Sequence, residues 1–112
     1  MLRGDKELLI DILEAIRRIE SYVEGINYNQ FLSDLKTQDS VVRNLEIIGE
    51  AVRKVSDEIK NKNALVEWRN IANLRNRLIH DYFGINLDIV WGILEEDLEH
   101  FKTQMRTILE TL

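Results

Sequence analysis

The side chains best suited to move a proton or to hold an anion lie together between positions 69 and 82. His80 is one of two histidines in the chain, and imidazole is the side chain whose charge changes near neutral pH. Asn76 lies one helical turn before it, within reach of one ring nitrogen. Arg75, which stays charged at any physiological pH, lies five residues before His80. The alternative to a reactive site is an ordinary solvated face beside a helix C-terminus, where basic side chains suit the helix dipole.

Arg75 breaks the apolar pattern of its own predicted helix. At about 100° per residue it falls in the middle of an apolar face. The other members of that face are Trp68, Ile71, Ala72, Leu78, Ile79 and Tyr82. Because an unpaired buried guanidinium is costly, we expect Arg75 to meet a carboxylate, a partner chain or an anion. Asn44, on the apolar stripe of the preceding long helix, and Glu46 and Glu50, which flank that stripe, are its plausible partners.

A second stripe of the same helix is wholly polar. It comprises Arg69, Asn73, Asn76 and His80, with Arg77 close beside it. Arg75 and His80 are about 140° apart on an ideal helix, so they do not share a face. They converge if the long arginine bends round, if the helix loosens near its end, or if two copies of the helix face each other.

The composition is that of one soluble helical domain spanning residues 1–112. Hydrophobic residues make up 45% of the chain and proline is absent, which argues against disorder and favours helices. Cysteine is also absent, so a disulfide scaffold, a thiolate zinc site and a cysteine nucleophile are excluded. With two histidines, an all-imidazole metal site would need more than one chain.

The charge and hydropathy patterns bear on location and partners. Apolar runs are too short for a membrane span, and acidic residues near the start do not fit a signal peptide. We therefore expect a cytoplasmic protein without membrane contact. The net charge of −5 gives no global attraction to nucleic acid, so RNA or DNA binding would require a local basic patch.

Apolar residues that recur at intervals of three and four positions predict four amphipathic helices. The first helix covers about residues 5–25, with Asp5 as its cap, and the second begins at Asp39 or Ser40 and ends where residues 61–63 break the pattern. The third covers about Ala64 to Tyr82 and is stopped by Gly84. The fourth is capped by Asn86 or Asp88 and continues to near the C-terminus. A short helix around Phe31 and Leu32 fits into the first connection. The pattern predicts an all-α antiparallel bundle of four helices, or of five with the short one.

The string Arg75-Asn76-Arg77-Leu78-Ile79-His80-Asp81-Tyr82 resembles the R-x4-H-x-Y motif of the HepT-like branch of the HEPN superfamily. The similarity covers nearly the whole chain. Residues 43–51, RNLEIIGEA, resemble the family's second-helix signature, and Trp68-Arg69 and the segments 82–85 and 88–91 follow its usual course. Glu99 stands where many relatives have proline, away from the motif.

This resemblance implies a toxin ribonuclease with a HEPN-type helical fold. Members of the family are homodimers in which the motifs of both subunits meet in one cleft, which would bring Arg75 and His80 together. The resemblance also implies a cognate antitoxin, a minimal nucleotidyltransferase that forms a hetero-oligomer with the toxin. That antitoxin transfers AMP from ATP to the tyrosine of the motif, here Tyr82.

The chemistry implied for the site needs neither a cofactor nor a metal ion. RNA carries its own nucleophile, the 2′-hydroxyl, so the enzyme supplies a base, an acid and a cation for the phosphorane. His80 is expected to act as base or acid with its copy in the other role, and Arg75 to clamp the phosphate. Asn76, Arg77 and Arg69 are expected to support them. No DxD, HExxH or glycine-rich loop is present in the sequence.

Two other functions are compatible with the sequence. One is a non-catalytic helical partner of a nucleotidyltransferase, which the acidic charge balance slightly favours. The other is a purely structural helical dimer, in which Arg75 and His80 would be replaceable. Without the family, Tyr82 would be interpreted as a core aromatic with a solvated hydroxyl.

Overall fold

Two long antiparallel helices supply about half of the described core residues. The computed structural model describes residues 3–79 and 84–112, and in it α1 (Asp5–Val23) packs along α3 (Leu35–Lys54). Their buried apolar residues are Leu8, Leu9, Ile12, Ala15, Ile16 and Ile19 on α1, and Val41, Val42, Leu45, Ile48, Ala51 and Val52 on α3. Burial of each large aliphatic side chain contributes about 1.5–3 kcal/mol, so this stripe fixes how the two helices pair. The predicted all-α class is confirmed.

The chain between these helices forms the predicted short helix and then starts α3 early. α2 (Tyr28–Leu32) contains the predicted Phe31 and Leu32. α3 begins at Leu35 rather than at Asp39 or Ser40, because Asp34 caps it. The carboxylate of Asp34 accepts hydrogen bonds from the backbone nitrogen of Thr37 at 3.1 Å and from its hydroxyl at 2.6 Å. Hydrogen bonding from the Thr37 hydroxyl, and then from its backbone, lowers the pKa of Asp34.

α3 also ends earlier than predicted. It stops at Lys54, and a separate short helix, α4 (Asp57–Lys62), follows. Ser56 caps α4, and its backbone nitrogen and hydroxyl donate to the carboxylate of Asp5 at 2.9 and 2.6 Å. Asp5 therefore does not cap α1 as predicted, since Gly4 takes that position. Instead, Asp5 ties the start of α1 to the start of α4.

The predicted third helix is two short helices. α5 (Trp68–Ala72) starts four residues later than expected, and α6 (Leu74–Leu78) follows after a turn at Asn73. Ile79, directly after α6, is extended and pairs with Ile85 in an isolated antiparallel bridge. The backbone nitrogen of Asn86 donates to the carbonyl of Leu78 at 2.8 Å. The predicted continuation over residues 80–82 lies outside the described residues.

The last predicted helix is confirmed, with Asn86 as its cap. The side chain of Asn86 accepts from the backbone nitrogen of Ile89 at 3.1 Å. The helix runs as α7 (Leu87–Gly92), a π-helical turn (Ile93–Asp97) and α8 (Leu98–Glu110). α8 packs on α1, and together with α3 and the α5–α6 segment these helices form the predicted bundle. None of the described helices is long and apolar enough to cross a membrane.

Candidate functional site

A cavity of about 840 Å³ opens between α1, α3 and the α5–α6 segment. We call it the cationic cavity. Its charged and amide-bearing lining residues are Arg3, Asp11, Glu14 and Arg18; Arg43, Asn44, Glu46, Glu50, Arg53 and Lys54 on α3; and Asn73, Arg75 and Asn76. The cavity thus brings the predicted Arg75 and Asn76 together with all three predicted partners of Arg75.

The described lining of this cavity is more basic than the protein as a whole. Six of its charged residues are cationic and four are acidic, although the chain has a net charge of −5. A cleft lined by an excess of one charge raises the local concentration of the opposite charge. Nucleic-acid binding by this acidic protein would need a local basic patch, and the cationic cavity is the described candidate for one.

Ion pairs hold the carboxylates of the α1 wall. Arg3 forms a bidentate pair with Asp11, at 2.6 and 2.8 Å. The guanidinium of Arg17 donates to Glu14 at 2.6 and 3.0 Å, and Arg18 donates to the same carboxylate at 3.2 Å. The hydrogen bonds from Arg17 and then Arg18 lower the pKa of Glu14 to about 2. The Glu14 carboxylate of the α1 wall therefore stays charged across the physiological pH range.

Arg75 does not lie in the middle of a buried apolar face, as the helical pattern predicted. The turn at Asn73 changes which residues of the segment point inward, and Leu74 is buried while Arg75 is exposed. Ile79, predicted on the buried face, is also exposed, at 43%. Arg75 therefore needs no buried carboxylate to stabilise it, and its guanidinium is accessible to an anion from solvent.

Close packing against α3 sets the position of the α5–α6 segment. A Cβ atom at Gly49 would lie 3.3 Å from the carbonyl oxygen of Ile71, closer than ordinary van der Waals contact. Arg53, one turn further along α3, donates to the carbonyl oxygen of Ala72 at 3.1 Å. The indole nitrogen of Trp68 donates to the carbonyl of Asn63 at 3.0 Å and anchors the start of α5. These contacts place Arg75 against the cavity.

The three predicted partners of Arg75 share its cavity without bonding to it. No hydrogen bond or ion pair joins Arg75 to Asn44, Glu46 or Glu50, all of which are described residues. Glu50 lies 4.0 Å from Arg53 across one turn of α3. Asn44 is buried, and its side-chain nitrogen donates to the carbonyl of Ser40 on its own helix at 2.9 Å.

The other predicted residues separate from this cluster or lie outside the described structure. Arg69 is exposed on α5 and is not among the described lining residues of the cationic cavity. Arg77 lines a second cavity on the opposite side of α6. His80 and Tyr82, predicted as the acid–base residue and the modification site, lie outside the described residues.

This second cavity, of about 380 Å³, differs in chemistry. Its floor is apolar: Leu45, Ile48, Leu74, Ile93 and Phe101. Its rim carries Glu67, Glu96 and Asp97 together with Arg77 and His100. We call it the acidic-rimmed cavity. Across residues 3–79 and 84–112, neither cavity contains a group of three histidine or carboxylate side chains placed to hold a metal ion.

Sequence reasoning missed the basic residues that α1 and α3 bring to the cationic cavity. The charged residues that α3 contributes are separated by three, four, three and one positions along the helix: Arg43, Glu46, Glu50, Arg53 and Lys54. That spacing puts them on one side of a helix. A charged stripe of this kind, close to the segment that carries Arg75, was the signal that could have identified these residues from the sequence.

Comparisons with known proteins show which sequences this chain resembles. Residues 12–108 match the family described as ribonuclease HepT-like. A protein of Thermococcus cleftensis named as a probable ribonuclease HepT is 41% identical over 102 residues, which span 91% of this chain and 93% of that protein. The mRNA nuclease HepT of Shewanella oneidensis is 29% identical over 116 residues, spanning 81% of this chain and 85% of that protein. No solved structure matches the chain at a significant level.

Proposed function

This chain belongs to the HepT-like ribonuclease family, and on that premise we propose that it is the toxin of a toxin–antitoxin system that cleaves RNA without a metal ion. The observation that carries the proposal is the cationic cavity, where Arg75 and Asn76 lie among an excess of basic side chains in an acidic protein. In a member of a ribonuclease family, the anion expected to bind in such a cavity is an RNA phosphate.

In the proposed reaction the RNA 2′-oxygen attacks the adjacent phosphorus atom. One His80 imidazole takes the 2′-hydroxyl proton, and the His80 of a second subunit gives a proton to the departing 5′-oxygen. Arg75 binds the non-bridging oxygens through its planar fork as negative charge develops on them. The products are a 2′,3′-cyclic phosphate and a free 5′-hydroxyl.

The direct test is cleavage of matched RNA and DNA by the purified chain. We expect RNA cleavage that survives EDTA, with cyclic phosphate ends identified by mass spectrometry, and no cleavage of the same sequence with 2′-deoxyribose. Arg106→Ala is a control, since Arg106 is an exposed arginine of α8 that is not among the described lining residues of the cationic cavity. Cleavage of the 2′-deoxy substrate, or its dependence on a divalent cation, would contradict the mechanism.

The proposed site is completed by a homodimer. Two copies of the motif would place both His80 side chains in one groove, as the two proton transfers require. The dimer should bury more than about 1,000 Å² in total. A monomer at tens of micromolar in sedimentation experiments would count against both the dimer and the shared site.

We propose that Tyr82 is the point of regulation. A nucleotidyltransferase antitoxin would join the Tyr82 hydroxyl oxygen to the α-phosphorus of ATP as pyrophosphate leaves and the hydroxyl proton is released. The product is an AMP group with one negative charge. That group would block the groove by its bulk and repel RNA. Tyr82→Phe should keep cleavage and lose neutralisation by the antitoxin, whereas Tyr22→Phe, at a tyrosine of α1 that is 38% exposed, should behave as wild type. A gain of AMP mass by the Tyr82→Phe chain would place the control point elsewhere.

A further inference from the structure

Asn44 is a buried polar side chain with incomplete hydrogen bonding. Its exposed fraction is 4%. Its Nδ2 atom donates to the carbonyl of Ser40, but its Oδ1 atom is buried and has no hydrogen-bond partner among the described residues. Buried acceptors are seldom left unpaired, because the lost hydration is not compensated. Asparagine at this position therefore lowers stability, and a residue that does so is a candidate for a functional role.

The position of Asn44 relates this unpaired oxygen to α6. Asn44 lines the cationic cavity together with Arg75 and Asn76. Arg53 bonds to the carbonyl of Ala72, and Gly49 lies against Ile71 and Leu74. The α5–α6 segment therefore packs on α3 little more than one helical turn beyond Asn44, and Asn44 and Arg75 line the same cavity.

The hydrogen-bond donors described around the cavity narrow the choice of partner for the Oδ1 atom of Asn44. Three arginines are already held: Arg3 by Asp11, Arg18 by Glu14 and Arg53 by the carbonyl of Ala72. Arg43 is the neighbour of Asn44 on α3, about 100° round the helix, and Lys54 is about 15 Å further along it. Arg75 lines the same cavity and has a long side chain with five N–H donors.

We infer that Asn44 is a positioning residue for Arg75. Its Oδ1 accepts a hydrogen bond from one edge of the guanidinium when a phosphate enters the cavity, and the other edge then meets the phosphate oxygens. Arg75 is exposed before that step, so the bond forms by rotation of its side chain. This role rests on the proposed ribonuclease function, because it orients the same fork for the developing phosphorane.

The test compares two buried polar residues of α3. Asn44→Leu removes the unpaired oxygen. Gln38→Leu is the matched control, because Gln38 is 8% exposed, is not a described lining residue of the cationic cavity, and has a side-chain nitrogen that donates to the carbonyls of Phe31 and Leu32. Three quantities are measured: the single-turnover cleavage rate at saturating enzyme, the Kd for RNA with 2′-deoxyribose at the cleavage position, and Tm.

The expected results separate positioning from stability. In Asn44→Leu the cleavage rate should fall about tenfold or more, as for a lost hydrogen bond to a charged group, with little change in Kd and a Tm at or above wild type. In Gln38→Leu the Tm should fall and the cleavage rate should stay the same. A cleavage rate within about twofold of wild type in Asn44→Leu overturns the inference. If Asn44→Leu does not fold, Asn44→Ala gives the same readouts.

A double-mutant cycle tests the link to Arg75. In an Arg75→Lys background, which lacks the planar fork, Asn44→Leu should have almost no further effect on the cleavage rate. A full additional loss would mean that Asn44 acts on the RNA itself, and would overturn the inference while leaving the proposed function intact. If the wild-type chain does not cleave RNA, the proposed function fails. The role of Asn44 rests on that function and fails with it.

Discussion

The two sides of α6 face cavities of opposite character. On one side, Arg75 and Asn76 line the cationic cavity, whose described charged residues are mostly basic. On the other side, Arg77 lines the acidic-rimmed cavity, above an apolar floor. Residues two apart on a helix point about 200° apart, so the two arginines of α6 line different cavities. Arg75 shares the first cavity with an excess of basic side chains, and Arg77 shares the second with three carboxylates.

Loss of the Arg75 guanidinium or the His80 imidazole should lower RNA cleavage more than any other change. Arg75→Ala and His80→Ala should each lower RNA cleavage by about 10²- to 10⁴-fold, the usual contribution of an acid–base or charge-stabilising group. Arg75→Lys should also be poor, because a point charge does not replace a bidentate fork. Cleavage rates are to be measured beside far-UV circular dichroism, which should be unchanged. Full activity or full toxicity of His80→Ala would remove the proposed mechanism.

The second largest effect should come from the packing between the two cavities. Gly49→Ala would press a methyl group against the backbone carbonyl of Ile71 and push α5–α6 away from α3. Overpacking costs about 1–3 kcal/mol, which the better helix propensity of alanine offsets by roughly 1 kcal/mol. We expect a net loss of stability in denaturant unfolding, together with slower cleavage.

The matched control for this prediction is Gly92→Ala. Gly92 is also helical, but a Cβ atom there would have nothing within 4 Å. It should therefore gain about 0.5–1 kcal/mol of stability from helix propensity. If Gly49→Ala is as stable and as active as Gly92→Ala, close contact between α3 and α5 does not position Arg75.

A smaller effect is expected on the opposite side of α6. Arg77→Ala should change RNA cleavage by less than about threefold, because Arg77 lines the acidic-rimmed cavity and a single partly exposed charge contributes little across a Debye length. Arg75→Ala and Arg77→Ala remove the same charge from the same helix, so they form a direct test of the comparison. Equal losses in both variants would show that RNA contacts both sides of α6.

The sequence predicted the periodic parts of this fold and missed its interruptions. The stripes of α1 and α3 were predictable because their apolar residues recur at three and four. The start of α3 was missed because its first turn is polar except for Leu35, which is 73% exposed, and only the Asp34 cap marks it. The break at Asn73 has no proline or glycine to signal it. This break buries Leu74 and exposes Arg75, so the motif was found while the direction of its arginine was not.

The smallest effect concerns a charge in the wall of the cationic cavity. Glu14 is one of four described carboxylates there, and Arg17 and Arg18 hold its pKa at about 2. Glu14→Gln removes that negative charge and releases two arginines, so RNA should bind about two- to threefold more tightly at low salt, with the gain lost at high salt. Glu96→Gln makes the same charge change at the acidic-rimmed cavity and should leave RNA affinity unchanged.

The pH dependence of the affinity difference between wild type and Glu14→Gln follows from the direction in which the pKa of Glu14 is shifted. A carboxylate with a lowered folded-state pKa stabilises the fold above its unfolded pKa, near 4.5, and loses that contribution as the pH falls through about 2. The affinity difference between wild type and Glu14→Gln should therefore be constant from neutral pH down to about pH 4. Fluorescence anisotropy with the 2′-deoxy analogue across this range measures it. A difference that disappears between pH 6 and 5 would mean that Glu14 is protonated in that range and that Arg17 and Arg18 do not lower its pKa.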